Sequence, residues 1–238
     1  MPAPDIDLGR GFRFVPEDPD WIKKILIGGA FTLLSGVLVG AVFVLGYCMR
    51  LIRRAAAGDP TPLPEWDDLG GIFRDGLRGL AIYLVYVLPV AIVPIAFAVA
   101  MALAGAGLSG ASGSHNASEA FGALAAMGLL GVYAITAILM LILALYVPAA
   151  LARFTMLDRV SAGFEVRENL AFIRRNLANY AMALLLYLLA SVAAQLGVVL
   201  CCVGIFPASF WAVCVLCWAL GEVVRRDPAL APRAGAPA

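Results

Sequence analysis

The most distinctive local string of the chain is Leu63-Pro64-Glu65-Trp66-Asp67-Asp68, followed by Phe73-Arg74-Asp75-Gly76. Glu65, Asp67 and Asp68 put three carboxylates within four residues. Hard cations such as Mg or Ca take oxygen ligands of this kind, and the same charges can hold a basic segment of a partner. A plainer account fits as well. A proline is pre-set for the first position of a helix, and acidic residues in a first turn complement the helix dipole. Trp66 suits a membrane–water boundary, and Asp75 stands three residues before Arg78, a spacing at which helical side chains pair. The expectation is an anchoring and capping string that also offers a candidate interaction surface, made of Glu65, Trp66, Asp67, Asp68, Arg74 and Asp75. No catalytic, cofactor-binding or metal-binding residue is expected.

Other reactive residues point the same way. Cys48, Cys201, Cys202, Cys214 and Cys217 are odd in number and lie among apolar neighbours, against a disulfide framework. Cys214 and Cys217 form a CxxC, but zinc sites draw on polar second shells that this stretch lacks, and buried thiols pack as small hydrophobes. His115 is the single histidine and sits in a Gly/Ser-rich stretch without a partner; Asn116-Ala117-Ser118 there matches a glycosylation sequon. The chain has no phosphate-binding glycine loop, no HExxH and no serine nucleophile with a base. The expectation is a protein that is not an enzyme and needs no cofactor.

The elements that must position these residues are apolar. The 238 residues are 63% hydrophobic and 14% charged, outside the range of ordinary soluble domains. Ile25–Cys48, Leu80–Ala104, Ala120–Val147, Tyr180–Val203 and Ile205–Gly221 contain no charged side chain. Each is about long enough to cross a hydrocarbon core of roughly 30 Å at roughly 1.5 Å per helical residue. An arginine at the middle of such a helix would cost about 2.5–3.5 kcal/mol on insertion scales. The fold class expected is all-α: a transmembrane bundle of about five membrane segments over residues 25–224. Residues 1–24 are expected as a polar N-terminal segment and 225–238 as a disordered tail. No signal-peptide core occurs in the first twenty residues.

Basic residues mark the cytoplasmic ends of membrane segments. Arg50, Arg53, Arg54, Arg74 and Arg78 lie in one gap, Arg153, Arg159, Arg167, Arg174 and Arg175 in another, and Arg225, Arg226 and Arg233 in the tail. The gaps at Gly105–Glu119 and Gly204 contain none. This predicts a multi-pass protein of the cell membrane with a cytoplasmic C-terminus. The first segment resists the rule. A single tilted span, the expectation here, puts Arg10, Arg13, Lys23 and Lys24 outside. The alternative is a re-entrant hairpin turning at Gly36 and Gly40, which keeps them inside. Gly36 and Gly40 also form a GxxxG helix-packing face.

Each arginine-rich gap ends in an amphipathic stretch. Trp66, Leu69, Phe73, Leu77 and Leu80 form one stripe, and Val166, Leu170, Ile173, Leu177 and Tyr180 the other. Two cytoplasmic interfacial helices are expected from them. Arg53 and Arg153, Phe73 and Ile173, Arg74 and Arg174, and Leu77 and Leu177 stand one hundred residues apart, hinting at an internal repeat. Pro89 and Pro94 fall within one apolar segment and predict a kink or a break there.

The runs Phe14-Val-Pro-Glu-Asp-Pro-Asp-Trp-Ile-Lys-Lys-Ile-Leu-Ile-Gly-Gly29, Leu45-Gly-Tyr47 with Arg50 and Arg53, and Ala57-Gly58 before the acidic tryptophan string and Phe73-Arg-Asp-Gly-Leu77 come in a particular order. In that order they resemble prokaryotic membrane proteins catalogued as domain of unknown function 4013. The resemblance covers Phe14 to about Pro89; beyond it the likeness is one of hydrophobic pattern. It implies a polytopic membrane protein of a bacterium or archaeon and carries over no functional residue.

The functional expectation is a non-catalytic membrane protein that meets membrane lipids, a protein partner or a second copy of itself through its cytoplasmic interfacial elements. The alternative is a small-solute transporter or channel, for which Pro89 and Pro94 supply a broken helix. A net charge of +1 with no polybasic run predicts no nucleic-acid partner.

Overall fold

The computed structural model of the chain describes residues 6–112, 115–199 and 204–230; the side chains of 107–112, 115–120 and 198–199 lie outside that description. The described residues form helices and no strands. Among the described residues four helices are long and apolar enough to cross a membrane, over Leu69–Ala106, Phe121–Leu157, Leu177–Gln195 and Ile205–Arg226. The expected all-α polytopic bundle is the fold found. The chain divides into two compact units, residues 1–82 with 148–238, and residues 83–147.

The first unit is built around α9 (Ile205–Arg226), the most deeply buried of the four long helices. Against it pack α8 (Leu177–Gln195), α2 (Trp21–Leu33) and α3 (Val39–Ala56). Small residues set the distances. A Cβ on Gly28 would collide with the Phe210 ring, one on Gly29 with Pro207, and one on Gly221 with Ala55. The short α1 (Leu8–Arg13) and the turn after it close one end, where Phe14 stacks on Trp218 at 5.4 Å between ring centres.

The first apolar segment does not run as one span. It folds as a helical hairpin, α2 then α3, joined by a 3-10 turn over Leu34–Val37 and by Leu38 at φ 64°. Both open ends meet, because the Lys24 ammonium and the Arg54 guanidinium donate to the same acceptor, the Leu63 carbonyl, at 3.3 and 2.9 Å. The thirteen residues of α2 rise only about 20 Å at ~1.5 Å each, short of a ~30 Å hydrocarbon layer. The tip satisfies its own backbone, as membrane depth demands: Ser35 Oγ donates to the Phe31 carbonyl and the Leu38 amide to the Ser35 carbonyl. Gly40 is needed at this turn, since a Cβ there would strike the Phe31 carbonyl oxygen; nothing surrounds Gly36. The GxxxG pair is therefore a hairpin device rather than an interhelical face.

Other expectations shift with the elements. α4 (Leu69–Ser112) runs unbroken through Pro89 and Pro94, and its first turns are the stretch expected as a separate interfacial helix. Its buried stripe is Ile72, Gly76, Gly79 and Leu80, while Leu69, Phe73 and Leu77 are exposed. α3 and α4 touch backbone to backbone: a Cβ on Gly46 would strike the Ile72 carbonyl oxygen, and one on Gly76 that of Val42. In the second gap α5 (His115–Leu157) is followed by α6 (Val160–Phe164) and a separate α7 (Val166–Arg175). The N-terminal segment is not merely polar, since Ile6, Phe14 and Val15 are buried. Nor does disorder begin at 225: Arg225 and Arg226 end α9, Asp227 is fully buried, and Leu230 packs on the core.

The second unit is an antiparallel pair formed by the apolar stretches of α4 and α5. Phe97 lies against Gly128, Phe121 against Gly105, and the Tyr86 and Tyr146 hydroxyls are 3.2 Å apart.

Two measurements check this architecture. Gly46→Ala or Gly76→Ala must push α3 from α4, at about 1–3 kcal/mol; the unfolding midpoint in detergent falls, while Gly36→Ala leaves it unchanged. A cysteine replacing exposed Arg10 and another replacing exposed Ala229 label with an impermeant thiol reagent from the same side of sealed vesicles. Labelling from opposite sides would mean that the first segment crosses.

Candidate functional site

The candidate residues gather where the hairpin's open ends, the segment between α3 and α4, and the gap after α5 converge. Lys24 is 4% exposed, and its ammonium lies 2.7 Å from the Asp18 carboxylate, itself 2% exposed, and 2.6 Å from that of Glu65. The turn from Phe14 to Asp20 brings Asp18 under the start of α2, where the Asp20 amide donates to its second oxygen. Burial by itself would lower the Lys24 pKa; the hydrogen bonds to Asp18 and Glu65 outweigh it and hold the ammonium above the ordinary lysine value of 10.5.

Trp66 is half-buried rather than displayed. Its ring stacks on Tyr47 at 4.4 Å and on Phe31 at 5.0 Å, and lies 6.0 Å from Phe210. Its Nε1 donates to the Lys24 carbonyl at 3.1 Å. This aromatic stack ties the strap before α4 to α2, α3 and α9. Beneath it the Tyr47 hydroxyl is fully buried with no hydrogen-bond partner among the described residues.

The arginines of α3 complete the site. Arg50, Arg53 and Arg54, at helical spacings of three and one, share one side of the helix end. Arg50 donates to Asp68 at 2.6 Å, Arg53 to Asp75 at 3.3 Å and to the Thr155 carbonyl at 3.1 Å, and Arg54 to Asp59 at 2.8 Å. Asp68 caps α4 by accepting from the Gly71 amide at 2.9 Å. The hydrogen bond from Arg50, then that amide, draws its carboxyl pKa below the usual value of 3.8. A cavity of about 360 Å³ opens between these arginines and the strap, lined by Arg50, Arg53, Arg54, Pro64, Glu65 and Asp67. Two smaller clefts adjoin it and share Glu65, of about 180 Å³ beside Asp18 and about 200 Å³ beside Trp66.

The structure thus brings Glu65, Trp66, Asp67, Asp68 and Asp75 together, with Glu65, Asp68 and Asp75 held against the chain's own cations. Asp75 pairs with Arg50 and Arg53, not with Arg78, which instead reaches Asp158 at 3.5 Å. Helix α4 opens after Asp68 rather than at Pro64. Arg74 is exposed and contributes to the low pKa of Asp68. Pro89 and Pro94 lie in the other unit. Sequence reasoning missed Asp18, Lys24 and Tyr47; only the folded hairpin reveals them. The spacing of Arg50, Arg53 and Arg54 was a visible signal of a shared face. Cys48 and Cys217 are hydrogen-bonded thiols between α3 and α9, and with Cys214 they are buried and unbridged. Cys201, Cys202, the His115 side chain and the sequon's side chains lie outside the described residues.

A second clasp holds the gap after α5. Buried Arg153 donates to the Asn169 amide oxygen at 2.8 Å and to Glu165 at 3.1 Å. Asn176 and Arg175 hold the buried Asp227 carboxylate at 2.7 and 3.3 Å, and Glu222 pairs with Arg225 and Arg226, three and four residues on along α9.

Four apolar spanning-length helices among the described residues, with their arginines kept near the helix ends, define a multi-pass integral membrane protein. The chain belongs to the family described as a protein of unknown function (DUF4013), whose model matches residues 30–203. The match takes in the acidic tryptophan string and reaches the later helices, while Phe14–Gly29, quoted above for the same family, falls outside it. No curated protein and no solved structure matches the chain.

Lys24→Met strands Asp18 in the interior without its cation and costs about 3–5 kcal/mol. Lys24→Met with Asp18→Asn recovers most of that, read from unfolding midpoints in detergent. The pH dependence has two limbs. Lys24, with its folded pKa raised, stabilises fully below about pH 10.5 and loses that contribution as pH climbs through its folded value. Asp68, with its pKa depressed, contributes above about 3.8 and loses its pairing as pH falls through its folded value. Arg50→Gln removes the largest cause of the Asp68 shift and so shrinks the acid limb, leaving the alkaline one.

Proposed function

We propose that this chain is a non-catalytic integral membrane protein that meets lipid headgroups through its arginine-rich end, and that this end faces the cytoplasm. One observation carries the reading. Leu69, Phe73 and Leu77 on α4, and Val166, Leu170 and Leu177 at α7 and the start of α8, are exposed apolar side chains. Among them in the sequence stand Arg74, Arg167 and Arg174, exposed and in no close ion pair among the described residues. Greasy side chains beside unpaired guanidiniums suit the boundary where hydrocarbon gives way to phosphate. Each such cation near an anionic surface is worth about 1 kcal/mol.

The remaining carboxylates support a structural rather than a catalytic role for the acidic string, because Glu65, Asp68 and Asp75 are engaged by Lys24, Arg50 and Arg53. A transporter reading rested on a helix broken at Pro89 and Pro94, and the continuity of α4 removes that support. The hairpin also supports the proposed orientation. With α2 and α3 returning to one side, Lys23, Lys24 and the arginines of both gaps share a face, as the positive-inside rule asks.

The test is lipid retention. Arg74→Gln, Arg167→Gln and Arg174→Gln together should cut the anionic lipid that co-purifies, read by native mass spectrometry, by about tenfold or more, with the unfolding midpoint held. Undiminished anionic lipid on the triple variant would refute the headgroup reading.

A further inference from the structure

We infer that the cavity between the α3 arginines and the Pro64–Asp67 strap binds the zwitterionic headgroup of a phospholipid that carries a primary ammonium. Arg50, Arg53 and Arg54 hold the phosphodiester, and Glu65 and Asp67 take the ammonium. This deepens the reading that this end of the protein meets lipid headgroups and rests on it.

Depth comes first. The apolar run of α3 ends at Met49 and Arg50 follows at once, so the cavity lies where the hydrocarbon-facing part of the helix gives out. The lining has two signs. Three guanidiniums form one wall, and the strap bearing Glu65 and Asp67 forms the other. Guanidinium forks match the paired oxygens of a phosphate, and an ammonium brings three N–H donors that suit carboxylates. A purely anionic headgroup would set its phosphate among the same arginines but face Glu65 and Asp67 with no cation. A quaternary ammonium would offer those carboxylates no donor.

The walls also have capacity left. Each guanidinium has five N–H groups, and Arg50, Arg53 and Arg54 spend only some of them on Asp68, Asp75, Asp59 and the Thr155 and Leu63 carbonyls. Those bonds fix the side chains before a ligand arrives, which reduces the ordering cost of binding. Glu65 meets Lys24 through Oε1, leaving Oε2. The Asp67 carboxylate is exposed and accepts the Asp68 amide at 2.9 Å, with no cation partner among the described residues. About 360 Å³ falls at the small end of ligand pockets, which run from ~300 Å³ upward, and suits a headgroup whose chains remain in the bilayer.

The experiment uses the delipidated full chain in detergent, re-exposed to equal amounts of phosphatidylethanolamine, phosphatidylcholine and phosphatidylglycerol of matched chains, with bound lipid read by native mass spectrometry. The wild type should retain the ethanolamine lipid preferentially. Asp67→Asn, which removes only one exposed charge, should lower that retention about tenfold and leave the choline lipid unchanged. Arg50→Gln with Arg53→Gln should lower all three lipids at this site. Equal retention of the ethanolamine and choline lipids by the wild type, or an unchanged preference in Asp67→Asn, overturns the assignment. In either case continued loss of anionic lipid from the Arg74, Arg167 and Arg174 variant would leave the broader headgroup reading standing. Soluble phosphoethanolamine should fail to displace the lipid at millimolar concentration; displacement by it, without preference among the lipids, would overturn the lipid source in favour of a free phosphate ester.

Discussion

A single buried ammonium organises one end of this protein. Lys24 cannot stay charged in the interior without acceptors, because an unpaired buried cation costs several kcal/mol. Its acceptors come from three places in the chain: Asp18 before α2, Glu65 on the strap before α4, and the Leu63 carbonyl. Arg54, at the far end of α3, donates to that same carbonyl. The knot therefore fixes where α2 starts, where α3 ends and how the strap crosses between them. The Trp66 stack sits on this knot and passes its position to Phe210 on α9. Charge pairing at the end and ring packing above it specify one arrangement together.

The hydrocarbon layer supplies the second constraint. Helices in lipid gain nothing from hiding apolar surface, so close contact and packing hold them together. The glycines serve this need at particular crossings. Gly46 and Gly76 let α3 and α4 meet at the backbone, and Gly28, Gly29 and Gly221 seat α2 and α3 on α9. The exposed tip of the hairpin, from Leu33 to Val39, is apolar apart from Ser35 and Gly36. Such a tip is costly in water and comfortable in lipid, while its ends carry the charges that cannot follow it.

Much of the fold was legible in the sequence because charge exclusion is a strong signal over twenty residues. Leu80–Ala104, Ala120–Val147 and Ile205–Gly221 each lie within one long helix. The hairpin was harder, since a segment from Ile25 to Cys48 has the length of one span, and composition does not distinguish a crossing from a return. The basic residues Arg10, Arg13, Lys23 and Lys24 held the clue, because only a return keeps them with the others. The acidic string was found as a cluster and read as anchoring and capping, and Asp68 does cap α4, but its cationic partners were not foreseen. Its partners, Lys24 and the α3 arginines, lie 11 to 41 residues upstream of Glu65 by the numbering, and no local periodicity connects them. Leu69, Phe73 and Leu77 were read as the apolar side of an interfacial helix, and on α4 they are exposed to the surroundings of the protein. In lipid the buried face is instead the one with Ile72, Gly76 and Gly79.

Internal pairing decides what this end can offer to anything outside it. Were the carboxylates of the string unpaired, they would repel the phosphates of an anionic bilayer surface. Engaged by Lys24, Arg50 and Arg53, Glu65, Asp68 and Asp75 contribute little field beyond the protein. The guanidiniums of Arg74, Arg167 and Arg174 stay exposed and outside such ion pairs among the described residues. A protein of net charge +1 can thereby show a bilayer a locally cationic edge. The same neutralisation keeps the α3 arginines rigid, so Asp68 and Asp75 act by holding the protein's own cations in place.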